Sequence, residues 1–314
     1  MAPSIASVTV AYNAERRLPR HLESLLRQTH PLQEIIVVDN ASTDGTAKLL
    51  AQRYPRVTVL GMSENLGMAG AWAAGLRYAA LEKGYEWTWT FDDDSVPQDN
   101  TLKTLLQGRD SLNTMQSEVG ILAPMPVHRQ TGTHYRPALW RDGFVKASSE
   151  LFRQPVWLAD LVITSGCMVH RDVVQKIGLP RADFFMDWFD FEYCLRARCH
   201  GYKIAVVNDA KLGHEIGNSR MVRLGGFARL WLDQPPWRHY YYSRNLAYIA
   251  WWLYPNSHTK NFALKYLAKV AGGTLLFSPR KLACLTNMAR GFRDGCHGRL
   301  GIRLRPNGSS SRLA

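Results

Sequence analysis

Short apolar runs alternate with segments of helical periodicity over the first 125 residues of this chain. Apolar runs of this length predict strands, and helical segments between them predict βαβ units on a parallel sheet. The predicted strands are 5–11, 34–39, 57–61, 87–91 and 119–124, and the predicted helices are 18–28, 43–53, 68–82 and 100–112. We therefore expect an α/β fold with an open, mostly parallel sheet that is flanked by helices.

The pattern becomes less regular after residue 125. Segment 126–158 mixes proline, glycine, arginine and aromatic residues, which predicts a loop-rich region. Further along, we expect a strand at 161–170, a helix at 189–200, a strand at 203–208, helical structure from Phe227 onwards and a disordered tail at 307–314.

Basic residues outnumber acidic residues by 39 to 26, which gives a formal net charge of +13. A surface of that charge attracts phosphates, nucleic acid or an anionic membrane, and the total does not choose among them. Segment 280–312 is especially basic and has Asp294 as its only acid. This distribution indicates a surface for phosphate-rich material, and a nucleic-acid-binding protein is one interpretation.

The five cysteines are odd in number and show neither a CxxC pair nor the spacing of a zinc site. They indicate the reduced thiols of a cytosolic protein. The first seven residues do not resemble a secretory signal peptide. Because no apolar run approaches the roughly 20 residues that span a bilayer, we expect any membrane contact to be peripheral.

Three consecutive acids, Asp92, Asp93 and Asp94, end the fourth predicted strand. In open α/β sheets the ligand crevice lies beyond the carboxyl ends of the strands. Adjacent carboxylates repel one another, so a cation is expected beside them, and Mg²⁺ or Mn²⁺ suits these hard oxygen ligands. The alternative is an acidic strand end that caps the following helix.

Polar residues also follow the first and second predicted strands. Tyr12 and Asn13 follow the first strand, and Asp39 closes the second. At the tip of a buried strand, the Asp39 carboxylate is suited to accept a hydrogen bond from a base N–H or a ribose hydroxyl. We interpret the nearby Asp44 as a helix cap.

Segment 64–70 enters a predicted helix with small residues, among them Asn65 and Gly67. Free backbone N–H groups at a helix N-terminus suit an approaching diphosphate or ribose, although this pattern alone is weak evidence.

Segment 185–196 combines aromatic and acidic residues. Asp187 and Asp190 are three residues apart and flank Trp188, so on a helix the two acids share one face. A carboxylate among aromatic rings suits a general base, because partial desolvation raises its proton affinity. The alternative is that these acids cap the helix. His214 follows another predicted strand, and beside the three acids it becomes a candidate third metal ligand.

Taken in order, segments 39–46, 65–70, 91–97, 185–196 and 241–245 resemble the family 2 glycosyltransferases, which have the GT-A fold. The resemblance covers roughly residues 7–217. Within that family the chain is similar to bacterial rhamnosyltransferases and galactofuranosyltransferases.

The resemblance implies a role for each matching residue. Asp39 would contact the pyrimidine base, and Asp92 and Asp94 would hold the metal ion and the donor diphosphate. Asp190 would be the general base, and His214 an additional metal ligand. The predicted donor site also includes Tyr12, Asn13, Asn65, Gly67, Asp93 and Trp188.

This chain departs from the family pattern at the base motif. Many relatives have Glu-Asp there, whereas Phe189 precedes Asp190 in this sequence. Asp187 therefore remains a reserve candidate for the base.

The implied activity is an inverting transfer of rhamnose or galactofuranose from a dTDP- or UDP-linked donor, with Mn²⁺ or Mg²⁺, to a saccharide or lipid-linked glycan. We predict a GT-A catalytic domain at 1–226, divided into a donor half at 1–125 and an acceptor half at 126–226. A helical, basic and aromatic region at 227–306 follows it. This region is expected either to rest on the inner surface of the membrane or to act as a helical cap.

A nucleotidylyltransferase is the rival enzyme. It would have a glycine-rich loop with a basic residue after the first strand, and residues 11–15 do not have that composition. The nucleic-acid interpretation is weakened because the sequence contains no recognised DNA- or RNA-binding module.

Overall fold

The computed structural model describes residues 3–112, 118–128, 132, 137–140, 144–148, 150–214, 219–224 and 227–306. The predicted tail at 307–314 lies outside the described residues. Contacts divide the chain into two units. The first unit comprises Met1–Trp140, Val145–Ala182 and Asp190–Glu215, and the second comprises Arg141–Phe144, Asp183–Phe189 and Ile216–Ala314.

Among the described residues, nine strands form the sheet at the centre of the first unit. The strands of the described residues, including four outside this sheet, are, in chain order, β1 (Ile5–Ala11), β2 (Glu34–Asp39), β3 (Thr58–Gly61), β4 (Trp87–Asp92), β5 (Val96–Pro97), β6 (Val119–His128), β7 (Ala138–Trp140), β8 (Phe144–Lys146), β9 (Val156–Ala159), β10 (Met168–His170), β11 (Lys203–His214), β12 (Ser219–Leu224) and β13 (Phe227–Leu232). The sheet order is β3-β2-β1-β4-β10-β6-β11-β5, and β9 also pairs with β11.

The sheet is parallel on one side and mixed on the other. Strands β3, β2, β1 and β4 run parallel to one another, and so do β6 and β11. Strand β10 lies antiparallel between β4 and β6, while β5 and β9 are antiparallel to β11. The predicted α/β fold with an open sheet is thus confirmed, and two of these three antiparallel strands, β9 and β10, follow residue 125, where the sequence pattern is less regular.

The helices, in chain order, are α1 (Leu18–Leu26), α2 (Thr46–Arg53), α3 (Gly67–Leu76), α4 (Thr101–Asp110), α5 (Arg171–Ile177), α6 (Phe189–Cys199), α7 (Pro236–Tyr248), α8 (Ser257–Phe277) and α9 (Lys281–Cys296). Helices α3 and α7 continue as π-helical turns at Arg77–Glu82 and Ile249–Leu253. Within the described ranges, none of the helices has both the length and the apolar character needed to cross a bilayer.

The core of the first unit lies on both faces of the sheet. All seven residues of β1 are buried, as expected for a strand that helices cover on both faces. Leu18, Leu22 and Leu25 of α1 are buried at spacings of four and three residues, so they form one apolar stripe on that helix. The rings of Trp89 and Phe91 on β4 meet edge to face at 4.6 Å. This packing fixes the strand ends that carry the acidic residues.

In the second unit, α7 packs closely against α9. A Cβ atom at Gly291 or Gly295 would collide with the backbone carbonyl oxygen of Tyr240 or Arg244, so glycine allows the two helices to approach at backbone distance. The Tyr240 hydroxyl donates a hydrogen bond to Asp294 at 2.8 Å. Asp294, the single acid of the basic segment, therefore ties α9 to α7.

Two local predictions are wrong. The predicted strand at 161–170 is formed only at Met168–His170. Gly166, with φ of 83°, turns the chain there, and the Thr90 hydroxyl donates to the carbonyl oxygens of Thr164 and Cys167. The second error concerns Phe227–Leu232, which is a strand and not a helix because it pairs antiparallel with Ser219–Leu224.

Candidate active site

The carboxyl ends of three neighbouring parallel strands meet at one edge of the sheet. In the register of β1 with its neighbours, Ala11 pairs with Asp39 on β2 and Val10 pairs with Asp92 on β4. Tyr12, the residue after β1, therefore lies at the same edge as the two acids. The three strands that these polar residues follow or end are neighbours in the sheet.

Asp92, Asp94 and His214 converge at this edge. Their candidate ligand atoms all lie within 4.8 Å of one another. His214 Nδ1 lies 3.2 Å from Asp94 Oδ1, and His214 Nε2 lies 4.0 Å from Asp92 Oδ2. The imidazole is buried, and the two carboxylates are partly exposed. We call these three residues the acidic triad.

The ligand atoms of the acidic triad fit a divalent cation. Oδ1 of Asp94 is buried, and within the described part of the chain no hydrogen bond reaches it. A buried carboxylate oxygen without a hydrogen bond is costly unless a cation or water satisfies it. Two carboxylates and one imidazole suit Mn²⁺, whereas Mg²⁺ prefers oxygen ligands alone.

A pair of buried serines supports the imidazole of His214. The Ser95 hydroxyl lies 2.8 Å from His214 Nδ1 and 2.5 Å from the Ser165 hydroxyl. Ser165 also accepts a hydrogen bond from the backbone N–H of Asp92 at 3.1 Å. Ser95 and Ser165 thus connect two members of the acidic triad and fix the orientation of the imidazole ring.

The middle acid, Asp93, points to a different partner. Its carboxylate forms two hydrogen bonds with the Arg17 guanidinium, at 3.0 and 3.1 Å. The backbone N–H of Tyr12 also donates to it, at 3.5 Å. Burial raises the pKa of Asp93, and Arg17 opposes that rise without cancelling it. Asp93 therefore ties the β4 end to the segment after β1, apart from the three converging ligand atoms.

The loops after β1 and β2 are bonded to each other. Asn13, which has a left-handed φ of 49°, accepts a hydrogen bond from the Thr43 N–H at 2.7 Å through its side-chain oxygen. The backbone N–H of Asn13 donates to the Ser42 hydroxyl at 3.0 Å. Asp39 is buried and accepts from the Ser42 N–H at 3.1 Å. Asn13 and Asp39, which are both predicted to bind the nucleotide-sugar donor, are therefore held in a fixed orientation by the loop after β2.

Asp44, which is predicted to cap α2, lies one residue before Gly45, the N-cap residue of that helix. Its side chain accepts hydrogen bonds from the N–H and the hydroxyl of Thr46, and from the N–H of Glu15. Burial alone would raise the pKa of Asp44, but these hydrogen bonds outweigh it and lower the pKa.

Asn40 positions the loop that contains Asn65 and Gly67, two further residues predicted to bind the nucleotide-sugar donor. Its side-chain amide donates to the Asn65 side-chain oxygen at 3.1 Å and to the Gly67 carbonyl at 3.2 Å, and it accepts from the Leu66 N–H at 2.8 Å. Gly67 begins α3 with a φ of 71°, which a residue with a side chain rarely adopts. Asn65 and Gly67 therefore lie on a loop that is fixed from β2.

Asp190 lies in the first turn of α6. Its Oδ1 accepts a hydrogen bond from the Phe191 N–H at 2.9 Å, which orients the carboxylate. The reserve candidate, Asp187, has a different environment. Its carboxylate receives hydrogen bonds from the Arg238 guanidinium at 2.8 to 3.1 Å, and it is largely buried.

The segment before α6 is strained and is held by α7. Phe185, Asp187 and Trp188 have left-handed φ values of 60–65°. The Asn245 amide donates to the carbonyl oxygens of Phe184, Met186 and Asp187 at 2.7 to 3.0 Å. The neighbouring Arg244 guanidinium, which is fully buried, donates to the carbonyls of Asp183 and Phe184. The 241–245 motif therefore maintains the backbone conformation of this segment.

Trp188 belongs to the second unit. Its ring packs against those of Tyr242 and Tyr266, with centroids 5.3 and 5.8 Å apart.

Sequence reasoning missed the residues that support the acidic triad. Ser95 directly follows the three acids, so its position was a signal that could have been used. Ser165, His21 and Arg17 carry no comparable signal. His21 is buried and bridges the Thr9 hydroxyl and the Ser95 carbonyl, and only the packing of α1 on the sheet brings it there.

Comparison with known families and proteins gives a consistent result. The family model described as "Glycosyl transferase family 2" matches residues 7–178. The chain is 30% identical to the dTDP-rhamnosyl transferase RfbF of Shigella flexneri, over 78% of this chain and 79% of that protein. It is 26% identical to the galactofuranosyltransferase GlfT1 of Mycobacterium tuberculosis, over 79% and 83%. It is 36% identical to the undecaprenyl-phosphate mannosyltransferase of Micrococcus luteus, over 69% and 87%.

Solved structures share the fold. GalNAc-T7 with UDP, GalNAc and Mn²⁺ matches with a TM-score of 0.63 at 15% identity, over 94% of this chain and 56% of that chain. S. aureus TarS 1-349 with UDP-GlcNAc matches with a TM-score of 0.57 at 15% identity, over 93% and 81%. The similarity covers nearly the whole chain, and it identifies the sheet and its flanking helices as the GT-A type.

Proposed function

Because the chain belongs to glycosyl transferase family 2, we propose that it is a metal-dependent, inverting enzyme that transfers one sugar from a nucleotide diphosphate donor to a hydroxyl group of a saccharide. Sugar transfer in polysaccharide synthesis follows from the family and its relatives. The donor, the metal ion, the stereochemistry and the acceptor are our proposals.

The convergence of the acidic triad at the carboxyl edge of the sheet carries this proposal. Asp92, Asp94 and His214 come from the end of β4, the segment after it and the end of β11, and their ligand atoms lie within 4.8 Å of one another. Such a cluster is the arrangement that a divalent cation and a diphosphate require.

We propose that Asp92, Asp94 and His214 hold Mn²⁺ or Mg²⁺, with Ser95 orienting the imidazole. When bound, the ion neutralises the charge that develops on the leaving diphosphate. The buried Asp39 at the end of β2 is assigned to the nucleotide base, and Asn65 and Gly67 are assigned to the ribose or diphosphate.

Asp190 is our proposed general base. It removes the proton from the acceptor hydroxyl while that oxygen forms a bond to the anomeric carbon of the donor sugar. The bond between the anomeric carbon and the diphosphate oxygen breaks at the same time, and the nucleoside diphosphate leaves with the electron pair. Attack opposite the leaving group inverts the anomeric configuration.

Asp190 is preferred over Asp187 for a structural reason. The Asp187 carboxylate makes a bidentate ion pair with Arg238, so both of its oxygens already accept hydrogen bonds from that guanidinium. The strained backbone at Asp187 and Trp188 directly precedes Phe189, the first residue of α6.

The relatives suggest the donor. A dTDP-rhamnosyl transferase and a galactofuranosyltransferase are similar over more than three quarters of this chain, so dTDP-rhamnose and UDP-galactofuranose are our first choices. The relative that acts on undecaprenyl phosphate favours a lipid-linked glycan as the acceptor. We place the enzyme in the cytoplasm, in peripheral contact with the inner membrane surface.

The rival interpretations are not favoured. A nucleic-acid-binding protein gives no reason for three cation ligands to converge at the carboxyl edge of the sheet. For a nucleotidylyltransferase, the segment after β1 lacks the glycine-rich basic loop, and its Asn13 is bonded to the β2 loop.

A panel of nucleotide sugars tests the proposal. Thermal unfolding of the purified chain is measured with each UDP- or dTDP-sugar, in Mn²⁺ and in EDTA. We expect dTDP-rhamnose or UDP-galactofuranose to raise the melting temperature with Mn²⁺ but not with EDTA, because binding to the folded state alone stabilises it. Stabilisation by long nucleic acid and by none of the sugars would overturn the proposal.

A further inference from the structure

The second unit contains a cavity of 410 Å³ between α7, α8 and the end of β13. Its walls include four large aromatic side chains, those of Trp231, Tyr242, Tyr266 and Phe277. Polar groups that line it include Lys269 and the ion pair of Arg238 with Asp187. Pockets of ~300–1,000 Å³ with apolar walls and a few polar groups are the usual form of small-molecule sites.

The cavity reaches the outer surface of α8. Leu276, which is 61% exposed, and the exposed Lys269 both line the cavity and lie on the outer face of this helix. Leu264, Leu275 and Lys265 are exposed on the same face. Exposed leucines interspersed with lysines are typical of helices that lie at an anionic membrane surface. The cavity therefore lies beside a surface of α8 that is suited to contact with a lipid.

The inner wall of the cavity contains a buried hydrogen-bond donor. Trp231 lies over Gly273 of α8, where a Cβ atom would collide with the indole ring. The Trp231 Nε1–H is buried, and no hydrogen bond reaches it within the described residues. A buried donor without a protein partner calls for an explanation, and an acceptor atom of a ligand in the cavity would supply its hydrogen bond.

From these features we propose that the cavity binds the isoprenoid phosphate portion of a lipid-linked acceptor, an inference that rests on the proposed function. The chain would pack against Tyr266 and Phe277, and the Trp231 Nε1–H would donate a hydrogen bond to a phosphate oxygen. Lys269 would pair with the phosphate at the border of the cavity. The volume accommodates only the part of a long isoprenoid chain nearest the phosphate, and the remainder would stay along the exposed leucines of α8.

Binding of farnesyl phosphate to the full-length chain tests this proposal. Isothermal titration is performed with farnesyl phosphate, farnesol and inorganic phosphate, each below its aggregation concentration. We expect saturable binding of farnesyl phosphate, weaker binding of farnesol and none of inorganic phosphate. Inorganic phosphate binding as tightly as farnesyl phosphate would overturn the proposal, because a free phosphate site needs no apolar cavity.

Three variants localise the site. Val270→Trp fills the cavity and should weaken farnesyl phosphate binding by at least about tenfold, because overfilled sites do not readily adjust. Lys269→Ala should weaken it by about threefold, the effect of one exposed ion pair, and leave farnesol binding unchanged. Lys265→Ala is the matched control, since Lys265 lies one turn away on the same face and does not line the cavity.

Unchanged binding in folded Val270→Trp, or equal effects of Lys265→Ala and Lys269→Ala, would overturn the proposal. If Val270→Trp fails to fold, as judged by circular dichroism, the lysine comparison alone decides. Binding of UDP with Mn²⁺ is measured on every variant and should not change. Its absence in the wild-type chain would contradict the proposed function separately from any result with farnesyl phosphate.

Discussion

The side-chain amide of Asn245 donates a hydrogen bond to the backbone carbonyl oxygen of Asp187 at 2.9 Å. It also donates to the carbonyls of Phe184 and Met186, so one buried side chain maintains a segment with three left-handed residues. Left-handed backbone costs about 1–3 kcal/mol per residue when a side chain is present. The segment keeps this conformation because α7 satisfies its carbonyl groups.

Replacing the Asn245 amide, which donates these hydrogen bonds, should release the segment from its left-handed conformation. Asn245→Asp keeps the side-chain shape but places carboxylate oxygens against carbonyl oxygens, so we expect a loss of at least ~2 kcal/mol in unfolding free energy and a lower kcat. Urea denaturation measures the unfolding free energy, and sugar-transfer assays measure kcat. Asn208→Asp is the control, because Asn208 is a buried amide that donates to the carbonyls of Leu151 and Gln154. Equal loss of turnover in both folded variants would contradict the proposed role of Asn245.

Asp190→Asn should abolish proton removal. We expect kcat to fall by about 10²–10⁴, the usual contribution of a general base, while the affinity for the nucleotide and metal stays nearly normal. Asp187→Asn breaks only the ion pair with Arg238, so it should affect stability more than kcat. The opposite ranking of the two variants in steady-state kinetics would identify Asp187 as the base.

The neighbouring acids Asp93 and Asp94 should behave differently. Asp94→Asn removes a proposed metal ligand, so Mn²⁺-dependent UDP binding should weaken by more than the ~10–100-fold that loss of an outer-shell partner costs. Asp93→Asn weakens a pair with the half-exposed Arg17 and should leave Mn²⁺ affinity unchanged within experimental error. Calorimetric titration of both variants with UDP and Mn²⁺ measures the difference. Equal losses of UDP and Mn²⁺ binding in the two variants would indicate that Asp92, Asp93 and Asp94 act through their net charge.

The Ser95 hydroxyl should influence the metal ion through His214. Ser95→Ala leaves the imidazole without its 2.8 Å partner, so we expect Mn²⁺ affinity to fall about tenfold with little loss of stability. Electron paramagnetic resonance of free Mn²⁺ gives the affinity directly, apart from catalysis. Ser24→Ala removes another buried hydroxyl, on α1, and serves as the control. An unchanged Mn²⁺ affinity in Ser95→Ala would show that the Ser95 hydroxyl does not influence metal binding.

Protonation of His21 should destabilise the fold in mild acid. Burial lowers the pKa of His21 to about 4, from 6.5 for an exposed imidazole. The unfolded chain therefore takes up this proton first, and stability falls as the pH drops from 6.5 to 4, by ~3 kcal/mol in total. Urea denaturation at pH 7 and pH 5 should show a smaller loss in His21→Gln than in the wild type. Identical pH dependence in the two proteins would exclude His21 as the cause.

Much of the first 125 residues was predictable, because strands β1 and β2 and the helices beside them follow local apolar periodicity. The residue types at the strand ends also predicted a metal site at Asp92, Asp94 and His214, whose candidate ligand atoms lie within 4.8 Å of one another. The strand at Phe227–Leu232 was missed, since its identity depends on pairing with another strand and not on its own pattern.

The sequence by itself determined the fold class, the family and the strand ends at which the acids lie. Only the tertiary structure decided which partners the three adjacent aspartates have, with Asp93 bonded to Arg17 and Asp94 beside His214. It also brought Ser165 to Asp92 and Asn245 to Asp187, across 73 and 58 residues of chain. The physical reason is that periodicity reflects the burial of neighbouring residues, whereas a side chain's partner depends on how distant elements pack.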